Sequence, residues 1–516
     1  MGFVFTVAYI VLTIISPDQF GPEWASYHVL LYLAGITALT SLPGIFTQPY
    51  LKSSLQTYLL VGFVIAIGLS QVANKWFGGA IRSWLVFLPS AAVYFFIVAN
   101  ATTVRRLKIV TLAAVASCLV LVVEALSGYY GDFLGETFVL KMSYARGQVT
   151  EHILRLRGVG FLNDPNDFAQ MLLIALPLIF IAWQKGRVLA NSLFVLAPAA
   201  LILWATYLTH SRGALMGFAV LGLVAARKRL GTTASLLLAS VLAIGLLALD
   251  FTGGRGISAS EGADRLEAWA TGLELFKHAP IFGIGFGRFT DFNEITAHNS
   301  LILPLAELGL VGATIWVALL VTTTLGLNSL IAQREELPMA RGENKAERNS
   351  DSDSDVDQES FQDQTVDSSD DELPAEHDLA NMAREEEQSS SGSAEYESHD
   401  AAAEELPLSG ERLAREETAA VGDAEPMDIG SVSEPIVPGK WLEIMRLALV
   451  SLITTSWFLS RTYDTPTYLV LGLATTAVAL DRSGNETQGG VRWIPITLAV
   501  EVLAVFFVYL VVRLRH

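Results

Sequence analysis

Asn163-Asp-Pro-Asn-Asp-Phe-Ala-Gln-Met-Leu-Leu-Ile-Ala-Leu-Pro-Leu-Ile-Phe-Ile-Ala-Trp183 opens on a polar head and then runs almost wholly apolar. The head has the form of a helix start. Asp164 or Asn163 can serve as N-cap, Pro165 suits the first helical position, and Asp167 is a first-turn acid. The tail approaches the ~20 residues that cross a bilayer as a helix. Comparable runs recur at Leu59–Ser70, Ile109–Ala125, Ser192–Leu208, Leu230–Leu249 and Ile496–Val512. Of the 516 residues, 52% are hydrophobic, and mean hydropathy is +0.44. The sequence therefore predicts an all-α, polytopic transmembrane helical bundle of about 12–13 spans.

The net charge of −18 is concentrated in one place. Residues 331–440 hold 31 acidic and 8 basic side chains, so the remaining chain is mildly basic, with 21 acidic and 26 basic residues. The acidity thus says nothing about a substrate. The segment is rich in Asp, Glu, Ser and Ala, cannot bury enough apolar surface to offset chain entropy, and is expected to be a disordered linker or a docking tail for a basic partner. The single cysteine, Cys118, lies in an apolar run and excludes an intrachain disulfide and a thiolate metal site. Phe3–Ile15 lacks a basic leader and reads as a short first span.

Basic residues gather on the cytoplasmic side of short loops. Placing Arg105–Arg106–Lys108, Lys185–Arg187 and Arg227–Lys228–Arg229 inside gives a consistent alternation. The expected division is N-terminal helices at 1–127, a core at 128–330, the acidic cytoplasmic insert at 331–440 and C-terminal helices at 441–516. The core exposes loops 128–165 and 251–297 on the outer side. An odd number of spans puts Arg513 and Arg515 outside as well, against the charge rule.

Three outer segments carry polar groups at helix starts. Arg157, followed by Gly158 and Gly160, reads as a cation on a tight turn before the Asn163–Asp167 helix start. Thr209-His-Ser-Arg-Gly213 offers Ser211 as an N-cap and puts Arg212 in the first turn, where the helix dipole opposes a cation and a bound anion would justify one. His210 reads as an interfacial residue. Ala263–His278 reads as an amphipathic interfacial helix carrying Arg265, with Leu266, Trp269, Leu273 and Phe276 near one face. Pro280-Ile-Phe-Gly-Ile-Gly-Phe-Gly287 lacks the context of a dinucleotide-binding turn and reads as a flexible turn where backbone could approach a ligand. Thr296 is a candidate cap for the span that His298-Asn299 opens. Glu307 within that span is a functional candidate or a helix–helix hydrogen-bonding group. Arginines and helix N-termini on one surface favour phosphates, and a histidine beside them suits acid–base work.

These elements, Arg157-Gly-x-Gly-Phe-x-Asn-x-Pro-Asn166, Thr209-x-Ser-Arg-Gly213, Arg265 with Trp269, Pro280-x-x-Gly-x-Gly-x-Gly287 and His298-Asn-x₉-Gly309-x-x-Gly312, resemble in order and spacing the shared domain of O-antigen ligases and related polymerases. The likeness covers residues 150–325, and the His-Asn-x₉-Gly-x-x-Gly element is its most specific piece. It implies a fold like that of helical membrane glycosyltransferases with lipid-linked donors. The implied activity passes a glycan from undecaprenyl diphosphate to an acceptor hydroxyl on the periplasmic side of a bacterial inner membrane. The acceptor would be lipid A core or another glycan, or Ser/Thr of a protein in the alternative oligosaccharyltransferase reading. No metal, cofactor or nucleic-acid partner is implied; membrane lipids are. His298 would be the base, Arg212 and Arg265 the diphosphate ligands and Arg157 a third cation. Ser211, Asn166, Asn299, Gly309 and Glu307 would support them. A rival of another class is a transporter or flippase for the same lipid-linked glycan, which would favour ionisable midplane residues and paired broken helices; a scaffold using the acidic insert is a third.

Overall fold

The computed structural model describes residues 1–19, 27–48, 51, 54–131, 135–146, 149–248, 259–354, 437–482 and 492–514. The chain is an all-α polytopic membrane bundle. Its helices are α1 (Gly2–Ile15), α2 (Val29–Thr47), α3 (Leu55–Ala73), α4 (Phe77–Asn100), α5 (Val104–Gly131), α6 (Pro165–Leu178), α7 (Val188–Leu208), α8 (Arg212–Ala248), α9 (Ala259–His278), α10 (Ile302–Ser354), α11 (Gly439–Ser456), α12 (Thr465–Arg482) and α13 (Trp493–Arg513). Among the described residues, nine helices are long and apolar enough to cross a membrane, and α1 is a shorter apolar helix. Helix α8 changes direction at Gly231 (φ 75°), so its two halves can serve as separate passes.

Loop 128–165 departs from the all-helical expectation. After a short helical turn at Gly135–Phe138, strands β1 (Val139–Arg146) and β2 (Val149–Leu156) form an antiparallel hairpin, with Val139 opposite Leu156 and Arg146 opposite Val149. The β-branched and alternating residues of Val149-Thr-Glu-His-Ile-Leu-Arg-Leu156 suit a pleated ribbon with one face on protein. Ile153 and Arg155 on that face are buried, whereas His152 and Leu154 on the other are exposed. Residues 132–134, 147–148 and 251–258 of the two expected outer loops lie outside the described residues, as do Arg515 and the bulk of the acidic insert (355–436). Helix α10 itself continues into the first part of that insert.

In lipid, helices gain little from apolar contact alone, so small residues and interhelical hydrogen bonds do much of the joining. Asn100 of α4 donates to Thr6 of α1 (3.1 Å) and Ser41 of α2 (2.8 Å). Gln170 of α6 donates to Thr455 of α11 at 2.7 Å. Thr314 of α10 donates to Glu501 of α13 at 2.8 Å. Phe63, Phe87, Trp316 and Tyr468 fill the interior between them.

Charged residues at one end of the bundle join the two ends of the 331–440 segment to the helices around them. Arg334 of α10 pairs with Asp481 of α12, whose carboxylate also accepts from the Val437 amide at 3.2 Å. Lys228 of α8 bridges Glu335, in the part of α10 that enters the expected insert, and Glu443, just past its end. Residues 1–342 and 432–516 accordingly form one compact unit, and 343–431 cluster as a second. Replacing residues 343–431 by a short Gly/Ser linker is expected to leave the first unit folded and membrane-inserted. Unchanged expression and thermal midpoint in detergent would bear this out; aggregation of the deleted chain would contradict it.

Candidate functional site

At the opposite end of the bundle, several polar segments meet. Asp164 caps α6, its carboxylate accepting from the Asn166 amide at 2.7 Å, with Pro165 in the first turn. Ser211 caps α8, its hydroxyl accepting from the Ala214 amide at 3.4 Å, and Arg212 is the first helical residue. A small cleft lies between these starts, lined by Asn166, Ser211, Gly213, Arg265, Phe458 and Leu459 among others. Arg265 comes from α9. That helix does not present its apolar face to lipid: Trp269 and Leu273 are buried with Phe289, Ile302 and Val508 of α13.

His298 stands in the loop before α10, half-buried and in the left-handed region (φ 47°). Burial lowers its pKa below the ordinary 6.5, the Arg265 charge lowers it further, and the Asp164 carboxylate opposes them. Arg265 thus bears on both the cleft and His298. Asn299, fully buried, caps α10: its Oδ1 accepts from the amides of Leu301 (2.8 Å) and Ile302 (3.1 Å), and its Nδ2 donates to the Trp457 carbonyl (3.0 Å). Thr296, the cap expected from sequence, instead accepts from Ser460 at 3.1 Å.

The glycine-rich turn packs against the break in α10. Helix α10 is broken at Gly309 (φ 66°), which frees carbonyls near the break. The amides of Ile284 and Gly285 donate to the carbonyls of Ala306 and Glu307, both at 3.0 Å, and the Leu310 amide donates to Pro280 at 2.8 Å. A Cβ at Gly283 would lie 2.2 Å from the Glu307 carbonyl carbon, and one at Gly309 2.5 Å from that of Ile281. Gly283 and Gly309 therefore let the backbones of the turn and of α10 approach each other. Glu307 reinforces the joint, its Oε1 accepting from the Phe289 amide at 3.0 Å. Asn74, just past α3, and Gln71 within it hold the far side of the turn through the carbonyls of Gly283 (2.9 Å) and Phe286 (2.8 Å).

Arg157 does not join the cleft lining. Its guanidinium donates to the carbonyls of Thr137 (3.0 Å) and Glu136 (2.8 Å), anchoring the hairpin's base. Two residues earlier, Arg155 is 3% exposed and reaches inward, donating to the Thr209 carbonyl (2.9 Å) and to Asn166 Oδ1 (3.0 Å). His210 is buried beside Tyr207 rather than at an open interface.

Sequence reading missed the segment Ser456–Asp464 after α11. Ser300 is tied to it four ways: its amide donates to Ser456 (2.9 Å), its hydroxyl donates to Leu459 (2.6 Å) and accepts from the Arg461 amide (2.8 Å), and its carbonyl accepts from Thr462 (2.8 Å). The Arg461 side chain pairs with Asp167 in the first turn of α6 and with Asp464 (2.6 Å). It thereby joins the Asn166 helix to the segment that holds His298. The signal available was a lone Arg-x-x-Asp pair after an apolar run, too short to mark a site.

The fold defines a multi-pass membrane protein, and its polar end brings several helix starts together with Arg265 and, close to it, His298. Residues 197–317 match a protein-family model described as O-antigen ligase, so the chain carries an O-antigen ligase-related domain. The match spans α7 to the first part of α10 and includes Ser211, Arg212, Arg265 and His298; it supports an O-antigen ligase- or polymerase-type function in general terms. No curated protein and no solved structure matches the chain.

Breaking a buried ion pair from one side costs on the order of 3–5 kcal/mol, because the other charge is left unpaired. Arg461→Ala strands Asp167 and Asp464 and is expected to lower the thermal midpoint in detergent markedly, with Asp167→Asn milder. An unchanged midpoint for Arg461→Ala would rule out the clamp.

Proposed function

We propose that the chain transfers a glycan from undecaprenyl diphosphate to an acceptor hydroxyl, as an O-antigen ligase or surface-polysaccharide polymerase acting on the outer face of a bacterial inner membrane. The observation that carries this reading is the position of Arg265, which lines the cleft with Ser211 and Asn166 while its charge bears on His298. The location of these residues, other than Asn166, within the family-matched segment supports it.

In this mechanism the neutral His298 imidazole accepts the proton of the acceptor hydroxyl as that oxygen attacks the anomeric carbon. The bond from the anomeric carbon to the diphosphate oxygen breaks, and its electron pair leaves with the lipid diphosphate. Arg212 and Arg265 stabilise the charge that grows on the leaving group, helped by the positive end of α8. A single displacement inverts the anomeric centre. The reading assigns charge neutralisation to guanidinium groups, so transfer is expected to be independent of divalent metal. Asn299, Gly309 and Glu307 support the site from behind, by fixing the start and the break of α10.

A base must be unprotonated, so kcat/KM is expected to rise as pH climbs through the lowered His298 pKa and to be flat above about 6.5. His298→Ala is expected to cost about 10²–10⁴ in kcat at pH 7. Arg265→Gln removes a cation that disfavours the imidazolium, so it should move the acid limb to higher pH as well as lower the rate. A limb that stays in place in Arg265→Gln, or full activity in His298→Ala, would overturn the assignment.

A further inference from the structure

Arg155 fixes which way the Asn166 side chain faces. A guanidinium has only donors, so the atom of Asn166 that meets Arg155 Nη2 at 3.0 Å must be the amide oxygen. Arg155 cannot swing away easily: it is 3% exposed, its Nε is held by the Thr209 carbonyl at 2.9 Å, and Nη1 meets the Met142 sulfur at 3.5 Å. Its mount is rigid as well, since Arg155 sits opposite Leu140 in the hairpin and two residues before the anchored Arg157. With Oδ1 committed to Arg155, the Nδ2 hydrogens face the other way. Asn166 lines the cleft beside Arg265 and Ser211, and among the described residues its Nδ2 meets no protein acceptor.

We infer that Asn166 is a donor-substrate binding residue whose amide N–H groups bond a diphosphate oxygen in the cleft, and that Arg155 is the positioning residue that orients it. This rests on the reading of the cleft as a lipid-diphosphate site and adds to it a neutral, directional donor beside the arginines. The arginines supply charge; the amide supplies an aimed hydrogen bond that distinguishes a seated diphosphate from one merely attracted to the cleft. The β hairpin then has a role in the chemistry, since it delivers Arg155 into the bundle.

Asn166→Asp separates this role from a structural one. The aspartate keeps an oxygen for Arg155, indeed a charged one, but offers the cleft a carboxylate where a donor stood. The test measures binding of undecaprenyl diphosphate, without turnover, to the purified full chain in nanodiscs, with thermal midpoints recorded alongside. Asn166→Asp is expected to weaken binding by about tenfold or more, as loss of a hydrogen bond to a charged group does, with its midpoint near wild type. Arg155→Lys, which cannot hold Thr209 and Asn166 together, is expected to weaken binding less, and to raise KM for the lipid-linked donor more than it lowers kcat. Wild-type affinity in a folded Asn166→Asp chain would overturn the Asn166 assignment while leaving the site reading intact. Failure of the wild-type chain to bind undecaprenyl diphosphate would overturn the site reading, and this inference with it.

Discussion

Ser300 uses every hydrogen-bonding group it has on one neighbouring segment. Its amide, carbonyl and hydroxyl all engage Ser456–Thr462, and it is 3% exposed. A buried polar group left unmatched is costly in a membrane protein, so this fully matched residue fixes the register between two chain segments about 160 residues apart in sequence. His298 lies two residues before it, and Arg461 is itself one of its partners, donating its amide to the Ser300 hydroxyl. The base candidate and the clamp on α6 are therefore set by the same seam. Asn299 adds to it by capping α10 and holding Trp457 at once.

The break at Gly309 supplies the second constraint. A helix interrupted within a membrane must satisfy its freed carbonyls with protein, and the 280–287 turn does so with its own amides. The N-terminal helices participate through Ser70, Gln71 and Asn74. They lie outside the segment matched by the family model, yet they hold the turn that holds α10. The first helices are thus part of the frame of the site. The last helix is too: Val508 of α13 is buried with Trp269 of α9, the helix that carries Arg265.

Much of this was legible in the residues. The apolar runs gave the bundle, because spans announce themselves by length and composition. Asp164, Pro165 and Ser211 gave two helix starts, because capping is local. Arg265, Ser211 and Asn166 do share a cleft, and His298 is near Arg265. What was not legible depended on distant partners. The Ser300 seam joins residues on either side of a long acidic insert, and nothing in either short segment names the other. The hairpin is too brief for its alternation to stand out among apolar runs, and without it Arg155 and Arg157 look equivalent. Their fates differ because Arg155 is still within β2 and faces the bundle, while Arg157 lies past its end and is taken up by nearby carbonyls. Gly283 and Gly309 signalled close approach, but only the break in α10 reveals that the turn and the helix are what approach there.

Arg265 and Asn166 line one cleft at one end of a membrane bundle, and the Arg265 charge helps to lower the pKa of the nearby His298. The central claim is that this cleft processes a lipid-diphosphate glycan without a divalent metal. The most direct measurement incubates purified wild-type chain with an undecaprenyl-diphosphate-linked oligosaccharide and candidate acceptors in EDTA, and follows release of undecaprenyl diphosphate together with glycan on the acceptor. Stoichiometric release and transfer are expected, with inversion at the anomeric carbon. Release that requires added divalent metal, or no transfer to lipid, glycan or protein acceptors, would contradict it.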